Sequence, residues 1–280
     1  MTDGMGVDSI TCLGGSLIQI GRLNDRVYLM CLDPGDMPEL VGWLVSLAKE
    51  HHLTKIFCKI PASFEKRFLG EGFVREACLP GFAADEGDLV FLSKFLSESR
   101  SKTDGGRIEK ILRVCEGKKP QPAKGCENIQ LASKNHIEKL SELYATVFES
   151  YPFPITDSAY LRETMDNSTL YFLVQQKGRA VAASSCEIDF QNMCAELTDI
   201  AVHPDYRGRN FAQKLIRRME EALKQINVCK YFTIARALNP SINVAFKKSG
   251  YTYCGTLIKN TQISGGFEDM NVWHKKIITV

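Results

Sequence analysis

Glu196 opens the one segment of this chain whose residue types and spacing suit chemistry: Glu196-Leu-Thr-Asp-Ile-Ala-Val-His-Pro-Asp-Tyr-Arg-Gly-Arg-Asn-Phe-Ala-Gln-Lys-Leu-Ile216. The pattern predicts a strand, a short basic Arg-Gly turn and an amphipathic helix. Such a turn presents backbone N–H groups and the positive end of a helix dipole, and both attract phosphate. No other segment joins an anion cradle to a nearby carboxylate.

The elements around it must hold the cradle and the carboxylate together. From Asn128 onward strand and helix patterns alternate. Strands are expected at 128–132, 170–176, 180–190, 195–202, 230–236, 251–262 and 267–277. Helices are expected at 135–149 with Asn135 as cap, at 158–166, at 210–225, and from Asn239-Pro240 to Gly250. Tyr-Pro-Phe-Pro-Ile at 151–155 must be a loop, because a proline disfavours helix before it. The order βααβββαβαββ is that of a mixed α/β domain, an α+β mixed sheet.

Over residues 127–280 the chain resembles the GNAT family of acyl-CoA-dependent N-acyltransferases. The resemblance rests on Arg207-Gly-Arg-Asn-Phe-Ala212 after its strand, with Asn239, Phe246 and Gly250-Tyr251 downstream. The family's turn reads [RQ]-x-x-G-x-[GA]; Arg207 and Ala212 match, and Asn210 stands where the family has Gly. Asn tolerates left-handed backbone angles best after Gly, so the turn can still form. The resemblance implies acetyl-CoA as donor. Its pyrophosphate would lie on the amides of Gly208, Arg209, Asn210, Phe211 and Ala212, beside Arg207, and its pantetheine arm would pair with Ile200, Ala201 and Val202. It also carries Asn239, Asn243 and Phe246 over to the cofactor side. Phe246 holds the position where many members keep a tyrosine that protonates the leaving thiolate. Water, Tyr251 or Cys254 would have to replace it, or none is needed, since a thiolate leaves readily.

The acceptor of such a reaction is an amine. With a pKa near 10.4, only about 4 in 10,000 alkyl amine molecules are neutral at pH 7. A carboxylate, often through a water, can take the proton. Glu196 is the expected base, the alternative being a solvated or ion-paired strand carboxylate. Asp199 falls on the opposite face by strict alternation unless a bulge intervenes. Glu187, Asp189 and Asp199 could bind ammonium groups. Arg236 could bind a carboxylate or make a structural ion pair. Tyr151 and Phe153 offer aromatic faces to an alkyl chain or a cation, or pack as a rigid loop. The resemblance extends over nearly all 280 residues to members acting on the terminal amine of a small zwitterionic diamino acid, whose acylated product is a compatible solute. Another amine (polyamine, lysine or protein lysine) and a non-catalytic acyl-CoA-binding role are the alternatives.

Residues 1–98 hide a degenerate partial copy of that domain. Leu47–Ile60 reads like Leu223–Ala235, Pro61–Phe73 like Pro240–Tyr251, and Gly87–Phe95 like the strand after Glu268. Where the second half has its Arg-Gly turn, the first has the acidic Asp33-Pro-Gly-Asp-Met-Pro-Glu39. A structural role follows. Residues 99–126, rich in Ser, Lys, Gly and Pro, read as a linker with a short helix at 107–115.

Composition limits the alternatives. The net charge is +2 with acids and bases interspersed, which gives no support for nucleic-acid binding. Ten single cysteines without a CxxC pair, and few histidines, argue against a metal site or a disulfide scaffold and for a reducing cytoplasm. No apolar run approaches the ~20 residues of a membrane span, and the N-terminus lacks a leader pattern. The resemblance implies a small-molecule amine as partner, and an exposed edge strand would allow a homodimer.

Overall fold

The periodicities resolve into strands and helices that group as two units. The computed structural model describes residues 8–84, 86–121, 123, 125–263 and 265–277. Most of the stretch read for a leader, and Pro122 and Lys124 of the linker, lie outside these residues. Unit 1 is Met1–Asp104 with Gly255–Met270, and unit 2 is Gly105–Cys254 with Asn271–Val280.

Unit 1 runs β1 (Ser9–Leu13), β2 (Ser16–Gly21), β3 (Arg26–Cys31), α1 (Leu40–Glu50), β4 (Lys55–Pro61), α2 (Glu65–Gly70), β5 (Val74–Leu79) and β6 (Leu89–Phe95). Unit 2 runs α3 (Gly105–Glu116), β7 (Ile129–Leu131), α4 (Ile137–Val147), α5 (Ser158–Asp166), β8 (Thr169–Gln176), β9 (Arg179–Asp189), β10 (Cys194–Val202), α6 (Phe211–Gln225), β11 (Lys230–Arg236) and α7 (Pro240–Lys248). The last two strands, β12 (Thr252–Ile263) and β13 (Gly266–Lys276), form a hairpin. Its base belongs to unit 2 and its tip to unit 1. The sequence reading set the second domain at 127–280, whereas the units divide after Asp104 and within the hairpin.

The repeat is topological. In unit 1 the strands lie in the order β1-β2-β3-β4-β6-β5, with β3 and β4 parallel. The order β8-β9-β10-β11-β13-β12, with β10 and β11 parallel, reproduces it. Helices α1 and α6 occupy matching places, as do α2 and α7. Among the described residues the first copy has no counterparts of β7, α4 and α5. Its acidic loop is spent internally: Asp36 accepts from the Gly15 and Ser16 amides at 3.1 and 2.8 Å, and Asp33 from the Gly35 amide at 2.8 Å. No anion cradle remains there.

Gly255 shows why the hairpin tip departs. It pairs with Ala77 of β5 at φ +150°, and a Cβ there would lie 2.2 Å from the Glu76 carbonyl oxygen. Only glycine permits that approach.

Two cores sandwich the unit 2 sheet. On one face α6 buries Leu215, Ile216, Met219 and Leu223 against Ala195, Leu197, Cys186 and Ile188. Each such side chain contributes about 1.5–3 kcal/mol. On the other face α4 and α5 pack Leu140, Tyr144 and Leu161 over Tyr171, Ala183 and Ala201. Helix α4 is preceded by a single 3-10 turn, at which Ser133 and His136 form the capping box, so Asn135 is not the cap.

Candidate active site

The basic turn adopts the backbone that its sequence allows. Asn210, immediately before α6, is left-handed at φ 61°, ψ 25°, and Gly208 is at φ +77°. Asn210 thus does the conformational work that glycine does in the resembled motif. Residues Arg207 to Asn210 are exposed. With the first-turn amides of α6 they present a row of N–H donors at the positive end of a 15-residue helix. The Arg209 guanidinium lies over the Tyr206 ring at 4.8 Å, and Tyr206 packs edge-on against His203. One cation is thereby held beside the turn.

The strand leading to the turn opens a gap. β10 and β11 pair in parallel at Cys194–Lys230, Ala195–Tyr231 and Glu196–Phe232. Beyond that point both strands continue, to Val202 and Arg236, without further pairing among the described residues. Glu196 sits half-buried where the strands part. The backbone edge from Leu197 to Val202 is left for an extended ligand, as strand edges are.

A bulge decides what faces the gap. The pairing of β10 with β9 shifts between Thr198 and Ala201, and Asp199 takes a left-handed φ of 51°. Before the bulge, Ala195 and Leu197 point into the α6 core; after it, Ala201 points into the α4–α5 core. Asp199 therefore does not lie opposite Glu196. It joins Glu196 and Thr198 on the α4–α5 face, across from Ser185.

Asp199 is buried there, 7% exposed. Ser185 Oγ donates to Oδ2, Thr198 Oγ1 lies 3.5 Å from Oδ1, and the Tyr151 hydroxyl also bonds the carboxylate. Burial raises the Asp199 pKa above the usual carboxylate range, and these hydroxyls pull it back. Tyrosines surround it. Burial, followed by the Asp199 charge, holds the Tyr144, Tyr151 and Tyr171 hydroxyls above their ordinary pKa. Tyr160 feels both Glu187 and Asp199. Tyr171 OH meets Thr164 Oγ1 at 2.9 Å. The Tyr144 hydroxyl is buried with no hydrogen-bond partner.

Other sequence-nominated residues fall into place around this face. Glu187, exposed, pairs in register with Glu196 on the neighbouring strand. Asp189 is engaged in its own turn, accepting from the Asn192 amide at 3.0 Å and from its side chain at 2.7 Å. Tyr231 and Ala235 belong to the α6 core, so alternation puts Arg236 on the Glu196 face. Tyr151 stacks at 4.7 Å from Phe148, and Phe153 packs against the same core.

Three nominations on the cofactor side have structural contacts of their own. Asn239 caps α7, accepting from the Ser241 and Ile242 amides. Asn243 is fully buried: its amide donates to the Arg236 and Asn239 carbonyls, and its oxygen accepts from Asn271 and Trp273 at 2.9 Å each. It fixes the end of β11 and has no polar atom to spare. Phe246 is core, 1% exposed and edge-on to Tyr251. Tyr251 is buried beside Glu220, and Cys254 Sγ lies 3.4 Å from the Val272 carbonyl. The residues that sequence reasoning missed are Tyr144, Tyr160, Tyr171, Ser185 and Thr198. Tyrosines at core-facing positions, where leucine would suffice, were the available signal. A separate groove of about 440 Å³ along α6, lined in part by Gln121, Arg217, Glu220 and Lys248, contains none of the site residues.

The chain is similar to known proteins. The model of the acetyltransferase (GNAT) family matches residues 137–251. A β-lysine N(6)-acetyltransferase of Methanococcus maripaludis is 37% identical over 96% of this chain and 99% of its own length. The N-acetyltransferase YodP of Bacillus subtilis is 32% identical over 91% of this chain and 93% of its own. Among solved structures, a ribosomal-protein-alanine N-acetyltransferase of Brucella melitensis aligns with a TM-score of 0.46 at 17% identity, covering 53% of this chain and 99% of that one.

Proposed function

The chain belongs to the GNAT family of acetyltransferases, and from that premise we propose that it moves an acetyl group from acetyl-CoA to the N6 amine of β-lysine. The observation that carries the reading is one sequence of geometry: a carboxylate where two parallel strands part, an open strand edge, then a left-handed basic turn on a helix start. The relative named β-lysine N(6)-acetyltransferase, aligned over almost the whole of both chains, supports the acceptor.

Acetyl-CoA supplies the activated thioester carbonyl. The residues do the rest. The amides from Gly208 to Ala212 cradle its pyrophosphate, and the Leu197–Val202 edge aligns its pantetheine arm. Glu196 accepts the proton of the terminal ammonium, directly or through a water, so that the neutral amine attacks in a ternary complex. Arg236, on the same face, receives the acceptor's carboxylate. Phe246 has no proton to give, so the thiolate leaves on its own low pKa. The ten cysteines, none of them in a CxxC pair, support a reducing cytoplasm as its location.

The test is mass spectrometry of amines incubated with acetyl-CoA and the protein, followed by steady-state kinetics. β-Lysine should gain one acetyl group at N6 with the highest kcat/KM among β-lysine, α-lysine, spermidine and a lysine peptide. An equal or greater kcat/KM for any of the others would sink the assignment.

A further inference from the structure

Asp199 is a buried carboxylate without a buried cation. Its contacts are the hydroxyls of Ser185, Tyr151 and Thr198, all neutral, and no lysine, arginine or histidine pairs with it among the described residues. Taking an ion out of water without a counter-ion costs several kcal/mol. The left-handed φ of 51° on a non-glycine residue adds backbone strain. Nothing in the packing of the sheet repays either cost. A bulge here with an apolar residue would be cheaper.

A second, independent feature points to the same spot. The Tyr144 hydroxyl, on a side chain that is 0% exposed, has no partner. It lies within electrostatic reach of both the Asp199 carboxylate and the Tyr151 hydroxyl. An orphaned buried hydroxyl beside an uncompensated buried carboxylate is a polar site lacking its donor-rich third member. Tyrosine rings on α4, α5 and β8, with the loop residue Tyr151, wall it. A carboxyl group among aromatic faces is the chemistry that receives an alkylammonium group.

Exposure separates Asp199 from Glu196. A general base must pass its proton on, and Glu196 is half-exposed where the strands part. Asp199 is enclosed, with the three hydroxyls of Ser185, Tyr151 and Thr198 around its carboxylate. Two carboxylates on one face, three residues apart, are thus given different work by their surroundings. We propose that Asp199, with Tyr144 and Tyr151, is the specificity pocket for the second ammonium group of the acceptor, the one that is not acetylated. This rests on the acetyl-transfer reading above and adds to it why a diamine is preferred to a monoamine. Tyr151, half-buried, forms the side of the pocket nearest solvent.

The experiment compares acceptors that differ only in the second amine. 6-Aminohexanoate is β-lysine without its 3-amino group, and 1-aminopentane is 1,5-diaminopentane without one end. Wild-type kcat/KM should favour the diamine in each pair. Asp199→Asn, nearly isosteric, should collapse that ratio by about a hundredfold, chiefly through KM for the diamine. Isothermal calorimetry of CoA binding reports whether the variant is folded. Should it not fold, Tyr144→Phe removes only the orphaned hydroxyl and should raise KM for the diamine several-fold. Equal loss of kcat on both members of a pair would make Asp199 a base or a purely structural residue and overturn the proposal. So would an unchanged ratio in a folded Asp199→Asn or in Tyr144→Phe. The second pair separates this idea from the acceptor assignment. If β-lysine is not the substrate but diamines still lose their advantage in the variants, only the assignment fails.

Discussion

Glu196 and Asp199 stand on one strand, yet the chain surrounds them differently. Glu196 closes the last paired rung of β10 with β11 and keeps contact with solvent. Its replacement by glutamine preserves shape and hydrogen bonding but cannot take a proton. At pH 7, Glu196→Gln should lower kcat/KM by about 10²–10⁴. The deficit should shrink as pH rises toward the pKa of the amine, because solution then supplies neutral amine without help. Initial rates of wild type and variant at pH 7 and 9.5 check this, and a constant ratio at both pH values would exclude Glu196 as the base. At this scale the sequence was partly legible. The carboxylate and the turn stood out because charge and glycine are visible in one dimension. Asp199 was nominated too, but its face was not legible: strict alternation puts it opposite Glu196, and only pairing with β9 reveals the shift. Asn243 and Phe246 were nominated by position, and burial has used them for packing.

At the scale of elements, periodicity carried almost everything. The order of strands and helices in the second half was readable because each element is long enough to show its period, and the turns between them are marked by Gly, Asn and Pro. What periodicity could not show is where two strands stop pairing, since hydrogen-bonding partners across a sheet leave no local mark. The turn before α6 makes the clearest element-level prediction. Asn210 is held at φ 61°, where a β-branched residue costs more than 1 kcal/mol. Asn210→Val should weaken CoA binding by about tenfold or more, whereas Asn210→Gly should bind CoA at least as well as wild type. Calorimetric titration with CoA decides it. Equal affinities in all three proteins would mean that the turn's backbone does not seat the ligand.

At the scale of the molecule, the N-terminal unit has a task that its lack of a cradle does not suggest. Three successive carbonyls of the hairpin tip are each held by a cation of unit 1. Lys55 Nζ donates to Ile258 O at 2.7 Å, Arg100 Nε to Lys259 O at 3.0 Å, and Arg26 Nη1 to Asn260 O. The hairpin tip is thus tied into unit 1, to which it belongs, by three cations. Lys55 is the most exacting of the three. It is wholly buried, paired with Glu76 at 3.1 Å, and burial lowers its pKa to about 8. Lys55→Met leaves the buried Glu76 carboxylate without its cation, with the Ser93 hydroxyl and the Ile258 amide still donating to it, which should cost about 3–5 kcal/mol of stability. The pH dependence has a definite sign. Below pH 8 the lysine is protonated folded and unfolded alike, and its burial penalty is fully present. Between about 8 and 10.5 the unfolded chain keeps a proton that the folded chain has released, so folding gains about 1.4 kcal/mol per pH unit from this group. Buried thiols such as Cys58, whose pKa is raised, act in the opposite direction but are common to both proteins. The stability difference between wild type and Lys55→Met should therefore widen from pH 7.5 to 10. Urea denaturation at both pH values measures it, and a difference that stays constant or narrows would show that Lys55 is not held in the low-dielectric site that clamps the hairpin.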